Sequence, residues 1–128
     1  MLREKLIEAA RAAINTAYAP YSKFQVGAAV LGESGRVYAG SNVENASFGL
    51  TICAERVAVL KAISEGEKTI KAIAVANSAG RRAFPCGACR QVIAEFVPAE
   101  GDVDVYLVSD EGVEAYTLAN LLPHAFKL

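Results

Sequence analysis

Apolar residues recur at Leu2, Leu6, Ile7, Ala10, Ala13, Ile14 and Ala17, with Glu4, Lys5, Glu8 and Arg11 between them. Steps of three and four trace one helix face, so the pattern predicts an amphipathic helix ending near Tyr18-Ala19-Pro20. Gln25 to Leu31 is a strand too apolar to have a wet face, Gly32 to Gly35 a turn, and Arg36 to Gly40 its hairpin partner. Asn42 to Gly49 is polar and irregular, which predicts a loop. With Thr51 as N-cap, Cys53 to Glu65 reads as a helix stopped by Gly66. Apolar residues nearly encircle that helix, so it should be buried. Ile70 to Ala76 is an apolar run of strand length interrupted by Lys71 alone, suited to a parallel strand covered on both faces. A loop over Gly80 to Pro85 leads to a helix over Cys86 to Phe96. Strands over Val103 to Val108 and Val113 to Thr117 follow, and then a helical turn over Leu118 to Leu122. A hairpin followed by helix, strand, helix and strand predicts a layered α/β domain with a mixed sheet.

The length of 128 residues suits one domain, over residues 1–128. With 53% apolar and 21% charged residues, a disordered chain is excluded. The net charge of −1 argues against a polynucleotide partner, because phosphate neutralisation calls for a basic excess. No apolar run is long enough to span a bilayer. The amphipathic N-terminus lacks the hydrophobic stretch of a secretion signal, and a cytoplasmic protein is expected. Low charge with high apolar content predicts more greasy surface than a small monomer exposes, hence self-association.

Three cysteines form no disulfide framework. Cys86 and Cys89 stand one turn apart at the start of a predicted helix, and Cys53 stands at the start of another. Backbone N–H groups at helix starts favour thiolates. Three thiolates make a zinc site with one coordination position open. Glu55, two residues after Cys53, can reach that position. Open-site zinc lowers the pKa of its water, and a neighbouring carboxylate can relay the proton. Two other readings compete. Cys86-x-x-Cys89 alone suits a thioredoxin-type redox pair, which leaves Cys53-x-Glu55 without a role. His124, the only histidine, completes a closed structural Cys₃His site in the other, as in a zinc-stabilised interaction domain without catalysis.

Cys53-Ala54-Glu55 followed by Pro85-Cys86-Gly87-Ala88-Cys89 resembles the zinc nucleoside deaminase pattern. With Arg56, Arg90 and Gln91 added, and with Tyr21 to Ala28 and Asn42-Val43-Glu44-Asn45-Ala46, the chain resembles the short-chain cytidine deaminases from Pro20 to Gln91. That resemblance implies a three-layer α-β-α sandwich around a mixed sheet of about five strands. It implies hydrolytic deamination of cytidine and 2′-deoxycytidine, as in pyrimidine salvage, with one Zn²⁺ per chain. Glu55 would shuttle protons, and Cys53, Cys86 and Cys89 would hold the metal. Arg56 would hydrogen-bond the ligand sulfurs and offset their charge. Asn42, Val43 and Glu44 would form the sugar loop, with Asn42 and Glu44 binding the hydroxyls rather than holding the fold. Phe24 would pack on the base, and backbone near Ala54 would read the base edge. Phe126 would cover the site of a neighbouring subunit in a homotetramer. Phe48 departs from the family, which commonly has tyrosine there. Blasticidin-type and nucleotide deaminases share the metal motif, and Asn42 to Ala46 favours the nucleoside. Arg81 and Arg82 are expected to be an exposed pair.

Overall fold

From Ala28 to Gly32 every residue of the first strand is buried, because helices cover both of its faces. The computed structural model describes residues 2–128. In chain order the elements are α1 (Leu2–Ala13), β1 (Val26–Gly32), β2 (Val37–Ser41), α2 (Ala54–Ser64), β3 (Ile70–Asn77), α3 (Gly87–Glu95), β4 (Asp104–Ser109), β5 (Gly112–Thr117) and α4 (Leu118–Leu121). The strands form one sheet in the order β2-β1-β3-β4-β5. β3 and β4 run parallel, and every other neighbouring pair is antiparallel. The sheet is thus mixed and five-stranded, as expected.

Alternation along the strands sends successive side chains to opposite layers. Ala28 and Val30 of β1 join Ile73 and Val75 of β3 beneath α2 and α3, with Ala58, Val59 and Ile93. Ala29 and Leu31 join Ala72, Ala74 and Ala76 against Leu6, Ile7 and Ala10 of α1. The layers are therefore α, β and α. Small residues set their spacing. A Cβ on Gly27 would collide with the Ala10 carbonyl, and one on Gly40 with the backbone of Ala58. Both glycines let a helix lie directly on the sheet.

Local deviations have local causes. α1 gives way to a 3-10 turn over Ile14–Thr16, earlier than the apolar pattern predicts. The Ala13 carbonyl there accepts from Ser41 Oγ and Thr16 Oγ1. α2 begins at Ala54 with Cys53, not Thr51, as its N-cap. Thr51 Oγ1 instead accepts from Asn45 N–H at 3.1 Å, closing the loop before the helix. Gly66 ends α2 as expected, with φ +113°. α2 is also less enclosed than expected, since Leu60 stays 49% exposed. Every residue of β3 except Lys71 is buried, as its apolar run implies.

Candidate metal centre and cleft

Cys53 and Cys86 occupy the N-cap positions of α2 and α3, and neither side chain caps its helix. The cap carbonyls begin the helices instead, accepting from Val57 N–H and Arg90 N–H. Both sulfurs are left outside the hydrogen-bonding of the helix starts, and Cys89 projects from the first turn of α3 to meet them. The three Sγ atoms lie within 4.8 Å of one another, with Cys53 and Cys86 at 3.9 Å and Cys86 and Cys89 at 3.4 Å. None is in a disulfide. Zn–S bonds of about 2.3 Å at tetrahedral angles put sulfurs about 3.8 Å apart, so the spacing fits zinc. Among the described residues this group contains no histidine. His124 lies in an exposed tail, in a hollow beside Ala94 and Leu118, so the closed Cys₃His arrangement is not the one formed.

The cluster favours a first thiolate. The Cys53 thiol is pulled down to about 5, chiefly by the hydrogen bond from Cys89 and further by Arg56 and Cys86. The Cys89 proton is held tightly in return, by Cys53 and by burial. Arg56 Nη2 donates to Cys53 Sγ at 3.5 Å, while its buried Nε has no partner. A cation placed here offsets the negative charge that three thiolates give a divalent ion.

Glu55, only 6% exposed, reaches the same place. Burial raises its carboxyl from the ordinary 4.5 to about 7, against a hydrogen bond from its own backbone N–H. Near neutrality it populates both protonation states.

Cys53, Glu55 and Cys86 line a cleft of about 270 Å³, with Cys89 buried behind them. Its walls include Phe24, Asn42, Glu44 and Ala54, four of the residues expected from sequence. Two others are elsewhere. Val43 pairs with Ile52 through two 3.0 Å backbone hydrogen bonds and does not face the cleft. Phe126 is 70% exposed and outside the cleft walls, with its carbonyl accepting from Gln91 Nε2 at 3.2 Å.

Asn42 and Glu44 also hold the fold, contrary to the expectation that they serve a sugar alone. Asn42 Oδ1 accepts from Val26 N–H at 2.8 Å, and its Nδ2 donates to the Phe24 carbonyl at 2.9 Å. Glu44 accepts from Tyr21 N–H, Ser22 N–H and Ser22 Oγ, which holds its carboxyl below the usual range. Both residues thereby fix the segment that presents Phe24 to the cleft.

The sequence reading missed Phe84 and Ala83, which form the wall preceding Cys86. A large aromatic in a polar loop directly before Pro85-Cys86 was the available signal. Arg81 and Arg82 are both exposed, as expected, and Arg82 also pairs with Glu114 at 2.8 Å.

A thiolate cluster with a buried, neutral-range carboxylate in one cleft defines the class, a zinc-dependent hydrolytic centre. Comparison with known proteins narrows it. The family described as the cytidine and deoxycytidylate deaminase zinc-binding region matches residues 2–103. The cytidine deaminase of Halalkalibacterium halodurans is 53% identical over 127 residues, covering 98% of this chain and 95% of that protein. The cytidine deaminase of Sporosarcina psychrophila is 51% identical over 96% of this chain and 90% of its own length. The 1.6 Å crystal structure of the cytidine deaminase from Burkholderia pseudomallei superposes with a TM-score of 0.90 at 45% identity, covering 98% of this chain and all of that one. The chain belongs to the cytidine and deoxycytidylate deaminase family, and it is a deaminase with zinc as its cofactor. Among the described residues no helix is long and apolar enough to cross a membrane.

Proposed function

We propose that residues 1–128 form one catalytic domain that hydrolyses cytidine and 2′-deoxycytidine, with water, to uridine or 2′-deoxyuridine and ammonia. The observation that carries this reading is the placement of Glu55, Cys53 and Cys86 in the cleft that Asn42 and Glu44 border, with Cys89 buried behind them in the same sulfur cluster. Zinc, when bound by Cys53, Cys86 and Cys89, supplies a water of lowered pKa. Glu55 would accept a proton from the water that adds to C4, deliver it to ring N3, and then carry the proton of the new C4 hydroxyl to the amine as the C4–N bond breaks. A carboxyl near 7 suits both directions of transfer. Arg56 keeps the sulfurs charged, Phe24 packs on the pyrimidine, and the backbone at Ala54, an unpaired helix start, reads the base edge.

Asn42 and Glu44 present remaining acceptor capacity to the ribose hydroxyls, and Val43 between them shapes the loop. The acidic Glu44 disfavours a 3′-phosphate and hence a polymer. Phe126, exposed on its own chain, covers the base from a neighbouring subunit of a homotetramer. A cytoplasmic role in pyrimidine salvage follows from free nucleosides as substrates. Adding purified protein to cytidine should remove the cytidine absorbance band and release one ammonia per nucleoside. Zinc-loaded protein that leaves the band unchanged would refute the substrate.

A further inference from the structure

Phe84 is braced more closely than an exposed loop aromatic requires. Its ring meets Tyr116 edge-on at 5.2 Å and 60°. The Arg82 and Arg90 guanidinium carbons lie 5.2 and 5.9 Å from its centroid. Each arginine is itself tied down. Arg82 Nη1 donates to both oxygens of Glu114 at 2.8 and 3.0 Å. Arg90 Nε donates to the Pro85 carbonyl at 2.8 Å, and its Nη1 to the Leu121 carbonyl at 2.7 Å. Contacts with β5, α3 and α4 thus orient one ring, yet 42% of Phe84 stays exposed and it forms part of the cleft wall with Phe24, Val26 and Val75. An apolar wall held rigid before the ligand arrives loses little freedom on binding.

Its position along the cleft follows from the chain. Phe84 stands two residues before Cys86, so their Cα atoms are at most about 7 Å apart. It borders the metal end, where the reacting carbon must lie, not the end marked by Asn42 and Glu44. C4 of a cytosine has two ring neighbours, N3 and C5. Glu55, on α2, serves N3. The loop before α3 is left with the C5 side, whose C–H groups need no hydrogen-bond partner and suit an aromatic wall.

We propose that Phe84 is a specificity-determining residue that packs against the C5–C6 edge of the pyrimidine and limits substituents at C5. This rests on the cytidine reading above. The test compares wild type, Phe84→Ala and Phe84→Tyr on cytidine and 5-methylcytidine, with zinc content and melting temperature recorded for each. Truncation to alanine should raise KM for cytidine about 3- to 10-fold with kcat nearly unchanged. It should raise the ratio of kcat/KM for 5-methylcytidine over cytidine about tenfold, in the range that methyl-sized misfits command. Phe84→Tyr keeps the ring and should change the ratio less than Phe84→Ala does. If Phe84→Ala leaves both KM and the ratio within about twofold while wild type is active, the inference fails and the cytidine reading stands. Loss of zinc or folding in both variants would make Phe84 a support of the metal loop, which also overturns it. Wild type inert on cytidine would refute the underlying reading itself.

Discussion

At the metal end of the cleft, the Cys53, Cys86 and Cys89 sulfurs engage one another and Arg56 among the described residues, and Glu55 is buried beside them. At the other end, Asn42 and Glu44 commit most of their polar atoms to backbone and side-chain partners. One end keeps its chemistry in reserve for a ligand, whereas the other builds the wall first. Residues of the first kind should be replaceable with little loss of fold apart from that due to the metal. Residues of the second kind should couple activity to stability.

The largest effect should come from the sulfurs. Cys53→Ala, Cys86→Ala and Cys89→Ala should each lose zinc by metal analysis and lose turnover, with a lower melting temperature because metal binding adds to folding free energy. A variant that keeps full zinc and full turnover would break the metal end as described.

Next is Glu55→Gln, which keeps shape and hydrogen-bonding reach but cannot move protons. It should lower kcat about 10²–10⁴-fold while retaining zinc and nucleoside binding. The competing account gives Glu55 only a favourable place at a helix start, worth less than about 1 kcal/mol of stability. Near-normal turnover by this variant would support that account.

At the other end, Asn42→Ala leaves Val26 N–H and the Phe24 carbonyl without partners. It should cost about 1–3 kcal/mol in denaturant unfolding and also impair activity. Glu44→Ala should reduce kcat/KM on cytidine with a smaller loss of stability, because its partners at Tyr21 and Ser22 lie at exposed positions that water can reach. If Asn42→Ala impairs catalysis with unchanged stability, the two ends do not differ in the way described.

A further contrast is a pH dependence of opposite sign at the two ends. In zinc-stripped protein, folded Glu55 keeps its proton up to about 7, whereas the unfolded chain releases it near 4.5. For this group more protons are then bound by the folded state, so the Glu55 contribution should fall as pH rises through that window, against the rising contribution of Cys53, whose thiol is pulled down to about 5. Glu44 is shifted down, so its contribution should be present above 4.5 and be lost as pH falls below it. Melting temperatures across pH, for the stripped wild type against Glu55→Gln and Glu44→Gln, separate the two slopes. A Glu55→Gln profile parallel to wild type between 4.5 and 7 would remove Glu55 as the source.

What could be read before the structure was what short-range pattern encodes. The cysteines are few, they fall at helix starts, and a carboxylate follows one of them, so spacing alone pointed to the metal chemistry. The apolar run of β3, interrupted only by Lys71 before Asn77, announced a strand covered on both faces for the same reason. Thr51 was the misjudged cap, because a hydroxyl before a helix looks the same whether it binds that helix or the Asn45 N–H of the preceding loop.

By itself the sequence determined most of the helices and strands, the layered α/β class, and the candidate side chains for the chemistry, since these rest on periodicity and residue type within a few positions. The tertiary structure alone decided that Asn42 braces β1, that Val43 and Phe126 stand away from the cleft of their own chain, and that Phe84 forms its wall. It alone also decided that burial lifts the Glu55 carboxyl towards neutrality. Each of those depends on partners far along the chain, and desolvation or a closing hydrogen bond exists only once the sheet and its two helix layers have come together.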